Sequence, residues 1–284
     1  MTAHILSRTR IFTLALIWLG MVALRAGDSP DQLTTDEILQ RVLKQAKWVE
    51  HHDLWNQYGF ERRTVVQDFG RGGKVRERKE MWFVADEKSD FPRLKQVKIN
   101  GKLLTGAEFK EEAQDQAKTR KALSPKKSPP KRDPGEIALS RDVVDRFHFS
   151  LDGSEDINGR PAYILSFAPK SAELPAKDMA DELLNRLQGR LWVDHEDFEI
   201  ARAEVSLRSE VKLWAGLLAV LHRFSLTVER VRVGPRVWFN RMATGDIEGR
   251  ELVTPEHVRF EAFTSNYHRL TMPKGATNET PGLE

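Results

Sequence analysis

The chain reads as an α+β protein in which one curved antiparallel β-sheet, a half-open β-barrel, wraps two or three helices. Three observations predict it. Period-two alternation of apolar and polar residues recurs through most of the chain after residue 53. Asn100-Gly101 and Asn158-Gly159 mark tight hairpins, since both central positions of such a turn need positive φ. Helical spacing is confined to two stretches, about 35–51 and 176–187. Strands with one greasy and one wet face belong to a sheet covered on one side only, which is antiparallel.

Composition narrows the class of function. The 284 residues include no cysteine, so disulfides, thiolate nucleophiles and cysteine-ligated metals are excluded. There are 45 Lys plus Arg against 42 Asp plus Glu, but Arg8, Arg10 and Arg25 lie in the first 26 residues, and the remainder balances at 42 against 42. A neutral chain without a long basic face is a poor ligand for nucleic acid, where phosphate contacts supply most of the affinity.

Residues 1–26 have the layout of a secretory signal peptide: Arg8 and Arg10, an apolar run from Ile11 to Leu24, then Ala26 and Gly27. The run falls short of the roughly 20 residues of a spanning helix. An uncleaved N-terminal anchor is the other reading of the same residues. Export together with the lack of cysteine fits a Gram-negative periplasm. The expected organisation is thus a signal peptide over 1–26, one domain over 27–270 and a frayed tail over 271–284.

The first helix opens at Thr34, with Glu37 placed to close a capping box, and Ile38, Val42, Ala46 and Val49 give it an apolar stripe to about His51. Strands are expected over 58–69, 76–85 and 94–99, the last turning back at Asn100-Gly101 onto 102–104. Residues 107–122 form a solvated helix if they form one at all. Lys118 to Arg132 holds seven basic residues and three prolines and buries too little to offset its ordering entropy, so 118–136 is read as a mobile basic insertion. Its Lys126, Lys127, Lys131 and Arg132 are candidates for transient contact with an anionic membrane; a plainly solvated insertion is the alternative.

In the second half, Phe147, Phe149 and Leu151 alternate with polar residues, and Asn158-Gly159 leads into 160–168. A helix over about 176–187 carries Met179, Leu183, Leu184 and Leu187 on one face. Gly189–Asp194 is a strand, His195-Glu196-Asp197 a polar turn, and 201–213 the most regular strand, with Ala201, Ala203, Val205, Leu207, Val211 and Leu213 on one side. The alternation then breaks at a nine-residue apolar run, Leu213 to Leu221, before strands resume to about Tyr267.

That order of elements, with Asn158-Gly159-Arg160-Pro161-Ala162-Tyr163 and the stretch from Gly189-Arg190-Leu191-Trp192-Val193-Asp194 to His195-Glu196-Asp197-Phe198-Glu199-Ile200, resembles the bacterial outer-membrane lipoprotein-sorting family, specifically its LolA-like periplasmic carriers. The resemblance covers about 36–267. It implies a half-barrel closed by helices, with an apolar hollow for lipoprotein acyl chains. The carrier proper is shorter and has no such basic insertion.

The ligand-binding candidates are apolar. Nine consecutive apolar or small residues in an alternating sheet require a second apolar surface, so Trp214, Leu217, Leu218 and Leu221 are read either as the lining of a lipid hollow or as ordinary core against the first helix. Met179, Leu183 and Leu187 are read either as a movable lid or as a permanently packed helix. No catalytic constellation, metal site or cofactor is expected. His195-Glu196-Asp197 sits at a turn where solvated charges belong, and His51-His52 lacks metal-ligand spacing. Arg71-Gly72-Gly73 lacks the Lys-Ser/Thr of a phosphate loop. The expectation is a monomeric, non-enzymatic carrier of an acyl chain, a lipoprotein or another apolar ligand. The alternative is an envelope scaffold or interaction module with a filled core.

Overall fold

A computed structural model describes residues 33–52, 54–85, 95–108, 139–171, 174–176, 179–213, 219–251 and 254–270. The expected leader, the basic insertion with Lys126, Lys127, Lys131 and Arg132, and the tail lie outside the described residues.

Helix α1, Thr35–His52, starts where the capping box places it: Thr34 donates through its backbone N–H and its hydroxyl to Glu37 Oε2, both at 2.8 Å, and Thr34 Oγ1 accepts from the Glu37 N–H at 3.3 Å. Its buried stripe is Ile38, Leu39, Val42, Leu43 and Val49. After a one-turn 3₁₀ helix at Leu54–Gln57 come β1 (Tyr58–Phe69), β2 (Val75–Ala85), β3 (Lys95–Ile99) and β4 (Lys102–Leu103). Short α2 (Arg141–Val144) precedes β5 (Phe147–Ile157) and β6 (Arg160–Pro169). Short α3 (Met179–Leu184) precedes β7 (Leu187–Asp194), β8 (Ile200–Leu207), β9 (Val211–Leu213), β10 (Ala219–Gly234), β11 (Val237–Glu251) and β12 (Thr254–Arg269). Both Asn-Gly pairs adopt the positive φ their turns require: Asn100 and Gly101 at 47° and 81°, Asn158 and Gly159 at 53° and 78°.

The twelve described strands form one antiparallel sheet in the order β4-β3-β2-β1-β12-β11-β10-β8-β7-β6-β5, with β9 alongside β10. The edges, β4 and β5, do not pair with each other, so the sheet is open. The chain closes its middle by returning: β12, last in sequence, lies beside β1. This long-range pairing joins the two halves that the sequence shows only as separate runs of strands.

Three local expectations are corrected. The strand expected over 201–213 is divided at Arg208–Glu210, where the Arg208 N–H leaves the ladder and donates to the Arg186 carbonyl at 2.8 Å. The helix expected over 176–187 ends at Leu184, and Leu187 is in β7 opposite Leu207, because a cross-strand partner outcompetes one more helical turn. The two ends of the apolar run 213–221 lie side by side and not along one strand: Val211, Lys212 and Leu213 pair with Leu221, Val220 and Ala219, and residues 214–218 lie outside the described residues.

Candidate functional site

The register carries one apolar row across the sheet. Phe149 faces Phe167, which faces Gly189, then Val205, Leu226, Gly245, Phe260 and Val66, each directly opposite the next on the neighbouring strand. Directly opposed residues share a face, so this row spans eight strands on one side. The parallel row two residues away runs Leu151, Leu165, Leu191, Ala203, Val228, Ala243, Ala262, Thr64 and Met81.

The two rows differ in cover. Leu165, Leu191, Ala203 and Val228 are at most 2% exposed, whereas Phe149, Phe167, Val205, Leu226, Phe260 and Val66 remain only half-buried. Helix α1 is anchored beyond the buried residues. On β10, Arg230 lies two residues beyond Val228 on the same face, and its Nη1 donates to Glu199 Oε2 at 2.6 Å. The other Glu199 oxygen accepts from Gln45 Nε2 of α1 at 3.1 Å. Gln45 Oε1 in turn accepts from Arg236 Nε at 3.0 Å, and the Arg236 guanidinium lies 4.1 Å from the Trp48 ring centroid. The helix is thereby tied by a buried polar link to the β7–β8 and β10–β11 connections, beyond Val228 of the Leu165–Val228 row.

Further along the same side, Leu187 faces Leu207, and Phe224, Ile247 and Val258 are paired in series, all half-buried. The apolar surface is therefore more than one row wide.

Alternation sends the opposite face to water. Gln188, Arg190, Glu204, Ser206, Ser225 and Thr227 form a polar grid there. A shallow depression of about 510 Å³ is lined by these residues together with Phe167, Gly189, Val205 and Leu226 of the apolar row. Arg190 and Arg202 both lie over the Trp192 ring, at 5.2 and 4.9 Å. A second hollow of about 600 Å³ runs between α1 and Leu139–Arg141, lined largely by Gln40, Lys44, Lys47 and Glu50.

The sequence-derived candidates fall in different places. Leu187 stands on the inner face, Leu183 is half-buried in α3, and Leu221 is half-buried opposite Val211 and Gly249. Met179 begins α3. Trp214, Leu217 and Leu218 lie outside the described residues. Phe149, Val205, Leu226 and Phe260 were visible as strand residues. What singles them out is the register, which no single strand reveals.

The polar turn is not solvated as its composition predicts. Asp194, Asp197 and Glu199 are buried. Asp194 takes both Arg160 donors, at 2.7 and 2.9 Å, and the N–H groups of Asp197 and Glu196 at 2.8 and 3.1 Å. Burial pushes its carboxyl up, but Arg160 and the two N–H groups outweigh that and hold it below the usual carboxylate range. Asp197 Oδ2 pairs with Arg232 Nε at 2.8 Å and accepts from Trp238 Nε1 at 2.9 Å. His195 stacks on Tyr163 at 3.7 Å between ring centroids. The turn is a structural knot under the cluster of Ile157, Ala162, Trp192, Ala201 and Trp238. Among the described residues no three metal-ligating side chains come together, and no helix is long and apolar enough to cross a membrane.

Solved structures of similar architecture include a Vibrio parahaemolyticus domain described as an outer membrane lipoprotein-sorting protein, at 14% identity over 84% of this chain and 93% of that one, TM-score 0.32. They include the LolA superfamily protein NE2245 from Nitrosomonas europaea, at 12% identity over 85% and 96%, TM-score 0.28. They also include the Pseudomonas aeruginosa MucA/MucB complex, at 11% identity over 83% and 98%, TM-score 0.22. No family model and no curated protein matches the chain.

Proposed function

We propose that this protein is a non-enzymatic binding protein of the bacterial periplasm that shelters an acyl chain or similar apolar ligand on the inner face of its sheet, beside α1. The observation that supports this reading is the row Phe149–Phe167–Gly189–Val205–Leu226–Gly245–Phe260–Val66, whose apolar side chains stay half-buried next to a row in which Leu165, Leu191, Ala203 and Val228 are buried. Burial of hydrocarbon is worth about 0.8 kcal/mol per methylene, enough to hold a long chain with few polar contacts. The leader-like N-terminal sequence supports a periplasmic location. The basic stretch with Lys126, Lys127, Lys131 and Arg132 would keep the carrier near an anionic membrane during transfer. Leu183 and Leu187, with Met179, Trp214, Leu217, Leu218 and Leu221, would border the ligand.

One observation favours a second use of the same fold. Among the described residues, edge strand β5, eleven residues long, pairs only with β6, an edge that suits an added strand from a protein partner.

The test is lipid analysis by mass spectrometry of the purified protein, together with displacement of a fluorescent fatty acid. Acyl lipid should co-purify, and Leu226→Asp should abolish uptake. A lipid-free protein that ignores the fluorescent fatty acid would end the carrier reading and leave strand addition at β5.

A further inference from the structure

The apolar row ends on a cation. Beyond Val66 the next directly opposed residue is Lys79 of β2, the one charged residue among the nine aligned positions. Lys79 is half-buried, and no hydrogen bond or ion pair of its ammonium occurs among the described residues. The acids nearest to it in the register are Asp68 and Glu77. Asp68 is engaged by Arg76, which also approaches Glu256 at 3.9 Å. With Glu77 exposed and outside ion-pair distance, an ammonium at the edge of hydrocarbon has a complement in an anion tethered to an apolar chain.

Resting on the carrier reading, we infer that the ligand is a single-chain carboxylate amphiphile, a long-chain fatty acid anion, with its carboxylate at Lys79 and its chain across β1, β12, β11 and β10. The lengths agree. Strands lie about 4.8 Å apart, so the four steps from Lys79 to Leu226 cover about 19 Å. One acyl chain, half the hydrocarbon thickness of a bilayer, is about 15 Å long. Val66, Phe260 and Leu226 meet the chain, with the Phe260 ring lying over Gly245. A single lysine matches a single negative charge better than a multiply charged headgroup.

The experiment compares hexadecanoate with hexadecanol as competitors for a fluorescent fatty acid, using the full protein, Lys79→Met and Lys79→Arg. The native protein should prefer the carboxylate by about tenfold, the scale of one charge-assisted hydrogen bond. Lys79→Met should erase that preference with hexadecanol affinity unchanged, and Lys79→Arg should retain it. Equal binding of the two by the native protein, or a preference that survives Lys79→Met, overturns the lysine assignment alone. Binding of neither overturns the carrier reading and this inference with it.

Discussion

The ring of Phe260 on β12 lies over Gly245 on β11, so that a methyl group added at Gly245 would overlap Cε1 and Cζ of the ring. The glycine is there to let an aromatic side chain lie flat on the inner face. Gly245→Val must displace the ring or strain the sheet, and overpacking of this kind costs about 1–3 kcal/mol. The predicted outcome is a lower urea midpoint with an unchanged slope, and weaker displacement of the fluorescent fatty acid. Full stability with full uptake would show that the ring has no fixed place there.

Helix α1 depends on charges that have no access to water. Arg230 is 2% exposed and its carboxylate partner Glu199 is 7% exposed. Glu199→Ala leaves a buried guanidinium uncompensated and should cost about 3–5 kcal/mol. Gln45→Ala removes only the neutral link between Glu199 and α1 and should cost about 1–3 kcal/mol. Denaturant titration followed by tryptophan fluorescence separates the two. Equal costs would mean that the ion pair does not contribute beyond the link to the helix.

Acid sensitivity follows from Asp194. Its carboxyl is held below the usual value in the folded protein, so the folded state binds fewer protons than the unfolded chain as pH falls through the carboxylate range. This contribution is complete above about pH 4, where an unfolded aspartate has ionised, and is lost as pH drops through the lower folded value. Asp194→Asn should flatten the acid limb of the stability curve as well as lower it at neutral pH. An acid limb of unchanged shape would rule out Asp194 as its source.

At the start of α1, Thr34 and Glu37 satisfy each other and the first backbone donors. Thr34→Ala should cost about 1 kcal/mol and speed amide exchange in the first turn of α1. Exchange that accelerates equally throughout the sheet would point to global rather than local loosening.

Much of this fold was legible because its signals are local. Thr34 and Glu37 are three residues apart, the Asn-Gly pairs fix their own φ angles, and period-two alternation marks strands such as Tyr58–Phe69 at their observed limits. Where the reading failed, a distant partner decided. Leu187 looks helical beside Leu183 and Leu184 but pairs with Leu207. Asp194, Asp197 and Glu199 look like parts of a wet turn, yet they are buried because Arg160, Arg230, Arg232 and Gln45 converge on them from other elements.

By itself, then, the amino-acid order determined which segments are strands, where most of them turn, and that each has a greasy side. Only the tertiary structure decided which greasy residues are buried and which stay half-buried in the row from Phe149 to Val66, with Lys79 at its end. The reason is physical: alternation is encoded within a strand by residues a few ångströms apart, whereas register and cover are set between segments up to about two hundred positions apart, such as β1 and β12, through pairings that no short window contains.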